Sequence, residues 1–160
     1  MSASINFTLN GKAVETSGDE TIWQVAERES IEIPHLCYTP EPGYRADGNC
    51  RACVVEVEGE RALAASCIRK PTEGMVVNTL SERAKKSQEM VMELLVADQP
   101  ARATSHDPNS RFWQQADLVG VSASRYPASE KPKADNSHVA MAVNLDACIN
   151  CNLCVRACRE

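Results

Sequence analysis

The chain has 160 residues, a formal net charge of −5, and 43% hydrophobic, 24% charged and 4% aromatic residues. That length and mix suit one domain or two small ones, and the acidic balance argues against a nucleic-acid partner, whose phosphates need a basic surface. No apolar run is long enough to span a bilayer. The stretch from Met1 to Phe7 has neither a basic n-region nor an apolar h-region, and no twin-arginine signal, so a cytoplasmic protein without membrane insertion is expected.

The predicted elements begin with β structure. Ile5, Phe7 and Leu9 alternate with polar residues, as on one face of a strand. Asn10-Gly11 is a strong two-residue hairpin turn, with Lys12 to Thr16 as the returning strand. Thr21 and Gln24 form the pattern of a capping box, which predicts a short helix to about Glu29 with Ile22, Val25 and Ala26 inward. Pro34 makes Ile33 extended, and a Gly- and Pro-rich loop follows from Tyr38 to Asn49. Val54 to Glu58 and Arg61 to Ser66 read as a hairpin about Gly59-Glu60, and Met75 to Val77 as a short third strand.

Ser81 is placed to cap a long helix reaching about Ala97, with Ala84, Val91 and Leu95, together with Met90 and Leu94, expected to face a core. Residues 98–120 hold one further short helix, Phe112 to Val119. Residues 122–138 are poor in apolar side chains and read as a linker or wrapping loop, and Val139 to Val143 as a strand. The order of elements is that of an α+β protein, a small sheet with one helix packed across it followed by a helical segment.

Eight cysteines are the outstanding feature. Cytoplasmic disulfides are rare, and C-x-x-C pairs read as metal sites first. The first group is Cys37-x12-Cys50-x2-Cys53-x13-Cys67. Four thiolates are the complement of a [2Fe–2S] or [4Fe–4S] cluster. Gly43 and Gly48 let the intervening loop turn its N–H groups toward sulfur, while Arg45 and Arg51 read either as positive charge that favours a reduced centre or as solvated surface charge. The alternative is structural zinc, although such sites usually draw on two C-x-x-C pairs and only one is present in this group. His35, close to Cys37, reads as a packing histidine.

The second group, Cys148-x2-Cys151-x2-Cys154-x3-Cys158, is the run of bacterial ferredoxins. In the two-cluster arrangement its first three cysteines hold one [4Fe–4S] cubane and the fourth holds the other. Each cubane then needs a second such run, and none is present, so the expectation is the N-terminal part of a longer polypeptide with an incomplete ligand set, a single cubane on all four cysteines being the alternative. No P-loop, G-x-S-x-G or H-E-x-x-H motif occurs, and no catalytic centre is expected within these residues.

Cys37, Cys50-Arg51-Ala52-Cys53, Cys67, a long helix and a terminal ferredoxin run together resemble the N-terminal iron–sulfur region shared by the G subunit of NADH-quinone oxidoreductase, iron-only hydrogenases and NAD-linked formate dehydrogenase alpha subunits. The resemblance covers nearly the whole chain. It implies a β-grasp [2Fe–2S] ferredoxin domain over 1–78, a helical segment over 79–121, a linker over 122–138, and the first half of a [4Fe–4S] ferredoxin domain over 139–160. The family often holds a further cluster through His-x3-Cys-x2-Cys-x5-Cys, but the matching positions here are Gln99, Ala103, His106 and Phe112, so that cluster is expected to be absent and His106 to be a surface or packing residue. This loss, with Pro34-His35-Leu36-Cys37 and Cys151-Asn152-Leu153-Cys154, looks most like the formate dehydrogenases. That choice implies a molybdenum or tungsten pterin beyond residue 160. It also implies the remainder of the catalytic subunit and flavin- and NAD-binding iron–sulfur subunits as partners. A zinc-binding or cluster-based redox-sensing interaction module is the reading from another class.

Overall fold

The computed structural model describes residues 4–159; the part of the leader reading that rests on Met1, Ser2 and Ala3 lies outside them. The first half folds round a mixed five-stranded sheet. Its strands are β1 (Ile5–Leu9), β2 (Lys12–Thr16), β3 (Val54–Val57), β4 (Ala64–Ala65) and β5 (Val76–Asn78), in the spatial order β2-β1-β5-β3-β4. β1 and β5 run parallel at the centre and the other pairs are antiparallel. The hairpin register places Leu9 opposite Lys12, and Asn10 and Gly11 both take positive φ, 51° and 83°. Both central positions of a type I′ turn need that conformation, which is why Asn-Gly serves there.

One face of this sheet is covered by α1 (Ile22–Arg28). The capping box is complete: the Thr21 hydroxyl accepts from the Gln24 N–H at 3.3 Å, and the Thr21 N–H donates to Gln24 Oε1 at 2.8 Å. Ile22, Val25 and Ala26 are buried as expected, against Phe7, Leu9 and Val55 of the sheet. Trp23 is buried with them and donates its indole N–H to the Ile33 carbonyl at 3.2 Å, a partner such a ring needs inside a core.

Glu82–Ala97 form α2, capped by Ser81. Its buried face is a correction to the expected stripe. Ala84, Gln88, Met92 and Val96, four residues apart, are buried; Val91 and Leu95 flank them, while Met90 and Leu94 are exposed. Gln88 hides this face from an apolar count. Its amide is buried because it donates to the Val54 carbonyl of β3 at 2.8 Å, which removes the cost of burying it. Met92 and Val96 join Leu36, Ala52, Trp113 and Ala116 in a second apolar core. Trp113 and Ala116 come from α3 (Arg111–Leu118), one residue earlier than predicted.

Residues 122–138 wrap rather than dangle. The Arg125 N–H donates to Glu93 of α2, and the Ser129 N–H to Asp98. Their last four residues also form β6 (Asp135–His138), which pairs with β7 (Met141–Val143) across a turn holding Val139. The strand expected over 139–143 therefore starts two residues late, and the linker ends in a strand that Asp-Asn-Ser-His gives no apolar pattern to announce. A five-residue helix, α4 (Leu153–Ala157), follows. No helix among the described residues is long and apolar enough to cross a membrane.

Candidate metal centre

Three kinds of local structure deliver the first four cysteines. Cys37 ends the extended segment after Pro34, Cys50 and Cys53 lie where the long loop runs into β3, and Cys67 lies just past β4. Cys37, Cys53 and Cys67 are at most 1% exposed, and Cys50 is half-buried. Four buried or half-buried sulfurs from distant stretches of chain meet because the sheet pairs β3 with β4 and the loop folds back over them. All eight cysteines are free thiols.

The sulfurs lie close enough to govern one another's protons. Donation from the Cys50 and Cys67 thiols, joined by the backbone N–H groups of Cys50 and Asn49, holds Cys37 far below the ordinary thiol range. The Cys50 N–H reaches Cys37 Sγ at 3.4 Å. Cys53 is lowered to about 7 by the Cys67 thiol and backbone N–H and by the Ser66 hydroxyl, against the opposing effect of burial. Cys50 and Cys67 are pushed up, first by giving their protons to these neighbours and then by burial. The contacts run in a chain, Cys50 to Cys37 to Cys67 to Cys53, so all four sulfurs share one site. Among the described residues, no three His, Cys, Asp or Glu side chains gather tightly enough about one point to hold a single metal ion.

The loop is shaped for this approach. Gly43 and Gly48 have φ of 87° and 60°, and Arg51, between the paired cysteines, also sits at φ 60°. A Cβ on Gly48 would come 2.9 Å from Ile68 Cδ1, so the loop closes directly over the residue after Cys67. Behind the loop, Leu36 and Ala52, each next to a cysteine, are embedded in the second core with α2 and α3.

Of the basic residues about the site, the two singled out from the sequence are solvated and two others are held against the chain. Arg45 and Arg51 are exposed, and Arg45 pairs with Asp47 at 3.4 Å. Arg111 and Arg156 take their place. Arg111 donates to the Tyr38 carbonyl at 2.5 Å, and Cys151, Cys50 and Cys37 are its Coulombic neighbours; burial depresses its pKa. Arg156 is buried and donates to the carbonyls of Cys37 and Arg45. The only sequence signal for Arg156 was its place between Cys154 and Cys158, and nothing in the sequence marks Arg111. His35 packs as expected, edge-on to Trp23 with centroids 4.5 Å apart, its Nδ1 3.1 Å from the Ile33 carbonyl oxygen, and burial lowers its pKa. His106 is exposed.

The second group is brought near the first but not drawn together. Cys148 and Cys151 are half-buried, while Cys154 on α4 and Cys158 at its end are exposed. Asn150 and Asn152 both adopt left-handed backbone, φ 54° and 61°, and turn the chain between these cysteines. Asn49, beside Cys50, donates to the Asn150 carbonyl at 2.7 Å, and Ile149 packs into the second core.

Fold and site together define a small mixed-sheet protein arranged about four buried or half-buried cysteines. Residues 2–82 match the family of 2Fe-2S iron-sulfur cluster binding domains, and the chain belongs to that family. It is 31% identical to the "Probable oxidoreductase YjgC" of Bacillus subtilis (strain 168), an alignment covering 100% of this chain and 16% of that protein. It is 33% identical to the mitochondrial "NADH-ubiquinone oxidoreductase 78 kDa subunit" of Candida albicans, over 96% of this chain and 22% of that protein. A chain in the crystal structure of NAD+-reducing [NiFe]-hydrogenase in the H2-reduced state superposes with a TM-score of 0.82 at 30% identity, over 97% of this chain and 66% of that one. The chain thus spans only 16% and 22% of the length of the two curated relatives.

Proposed function

We propose that Cys37, Cys50, Cys53 and Cys67 hold a [2Fe–2S] cluster in a β-grasp ferredoxin domain, and that the chain relays single electrons within a larger oxidoreductase. The observation that carries this is the burial of Cys37, Cys53 and Cys67 beside half-buried Cys50, with the chain of contacts among the four sulfurs. The match of residues 2–82 to 2Fe-2S cluster binding domains is what favours iron over zinc. When bound, the cluster supplies one-electron chemistry by cycling an iron between ferric and ferrous. The protein's own part is to bury most of the sulfurs, aim the N–H groups of Asn49, Cys50 and Ala52 at them, and place cations nearby.

The domain scheme of 1–78, 79–121, 122–138 and 139–160 belongs to the same proposal. Cys148, Cys151 and Cys154 would contribute to one [4Fe–4S] cluster and Cys158 to its neighbour, with the remaining ligands outside these residues. Within the oxidoreductases, the middle segment without cluster ligands supports an NAD-linked formate dehydrogenase, with molybdenum or tungsten pterin and flavin- and NAD-binding subunits beyond this chain. The names of the relatives support an NADH-quinone oxidoreductase subunit or a hydrogenase subunit as the alternative. Free thiols throughout suit a reducing, cytoplasmic setting.

The test is metal and sulfide analysis of anaerobically prepared protein, with its visible spectrum before and after dithionite. Iron and acid-labile sulfide in equal amounts, with visible absorbance that bleaches on reduction, are the expected result. A colourless protein containing zinc would overturn the proposal.

A further inference from the structure

Arg156 is the one charged side chain among the buried residues described, 4% exposed. It lies far along the chain from the first cysteines, on α4, yet its guanidinium donates to the carbonyls of Cys37 and Arg45. Further acceptors are the carbonyls of Cys151 and Asn152, each at 3.4 Å. Among the described residues its one carboxylate neighbour is Asp47, 3.4 Å away, which Arg45 also approaches at 3.4 Å. A buried cation is costly without an opposite charge, and a shared carboxylate at that distance is a thin counterweight. The guanidinium is instead anchored on the backbone oxygen of a sulfur-bearing residue, which sets its fixed charge beside the cysteine site. On the next residue, Arg111 from α3 donates to the Tyr38 carbonyl at 2.5 Å. Two guanidiniums from two helices outside the sheet thus grip consecutive carbonyls at Cys37 and Tyr38.

We propose that Arg156, assisted by Arg111, is a positioning residue of the N-terminal cysteine site: the pair clamps the Cys37–Tyr38 backbone and raises the reduction potential of the centre bound there. This rests on the [2Fe–2S] reading above. Four thiolates make such a centre net negative, and reduction adds one more negative charge. Fixed positive charge therefore favours the reduced state. The clamp also ties the segment bearing Cys148–Cys158 to the first site, so that the potential of one group depends on the seating of the other.

The experiment is potentiometry of the full chain after reconstitution with iron and sulfide, read by the paramagnetic signal of the reduced centre. Arg156→Gln, which keeps a donor and removes the charge, is expected to lower the reduced-to-oxidised ratio about tenfold at fixed ambient potential, about 59 mV for one electron. Arg156→Lys restores most of that shift because it restores the charge, which a purely structural role would not do. Arg111→Gln shifts the potential in the same direction by less, because its side chain is only partly buried. Should Arg156→Gln fail to hold the centre, the Arg111→Gln potential decides. Potentials equal to wild type in every variant that retains the centre would overturn the clamp and leave the [2Fe–2S] reading intact. Wild-type protein without iron and sulfide would instead sink that underlying reading.

Discussion

Met92→Ala tests whether the second core holds the cluster loop in place. Met92 is fully buried and packs in one apolar cluster with Leu36 and Ala52, neighbours of Cys37 and of the paired cysteines. Truncating a fully buried Met costs about 2–5 kcal/mol, the loss of transfer energy plus the cavity left behind. Taking about 3 kcal/mol, and roughly 2–4 °C per kcal/mol for a chain of this size, Tm should fall by about 6–12 °C. If the loop opens by letting go of this core, the open population rises about a hundredfold for the same energy. Loss of the cluster to an iron chelator, followed by bleaching of visible absorbance, should then accelerate by up to that factor. Leu94→Ala is the control: Leu94 is 49% exposed on the same helix, and its loss should shift stability by no more than about 0.5 kcal/mol. A Met92→Ala protein with the expected drop in Tm but wild-type cluster loss would refute the coupling. Equal effects from the two substitutions would refute the burial argument itself.

Cys53→Ala removes one of the four meeting sulfurs and should abolish or severely weaken the [2Fe–2S] centre; a wild-type paramagnetic signal after reduction would contradict that assignment. Gly48→Ala puts a side chain on left-handed backbone, a cost of about 1–2 kcal/mol, and drives a Cβ to within 2.9 Å of Ile68 Cδ1, so reconstitution should slow and Tm fall. Asp117 accepts from both Arg102 terminal nitrogens, at 2.7 and 2.9 Å, which holds its carboxyl below the usual range. A depressed carboxyl contributes stability above its unfolded pKa and loses it as pH falls through the folded value. Asp117→Asn should therefore lower Tm slightly at neutral pH and match wild type in strong acid, where both proteins lack the charge; an unchanged difference across pH would count against this.

Much of the first half was legible because its signals are local. Asn10-Gly11, the Thr21–Gln24 box and the alternation of Ile5, Phe7 and Leu9 each specify their element without help from the rest of the chain. The grouping of the first four cysteines was legible for a different reason, since their spacing set them apart as one group and the sheet brings them to one site. What was hidden depends on partners distant in sequence. Gln88 looks like a surface residue until Val54 is placed beside it. β6 is entirely exposed and carries no apolar residue, so only its pairing with β7 reveals it. Arg156 looked like one more charge among expected ligands, because nothing local announces that its acceptors lie at Cys37 and Arg45.

The second cysteine group sets the sharpest test of how far this chain functions alone. A cubane needs four thiolates about one compact core. Here Cys154 and Cys158 lie exposed on α4 and at its end. The Cys148 Sγ lies 3.5 Å from the Asn150 backbone nitrogen, which donates to it. Exposed thiolates also leave a [4Fe–4S] core open to water and oxidant, while the first group is sealed by the sheet and the loop. Reconstituted protein should therefore retain about two irons per molecule after gel filtration, the content of one [2Fe–2S] centre. Substituting Cys154 and Cys158 together by Ser should leave that number and the reduced signal unchanged. A stable content of about six irons, falling to about two in the double variant, would show that α4 rearranges to complete a cubane from these four cysteines alone. The two groups would then form a self-sufficient relay.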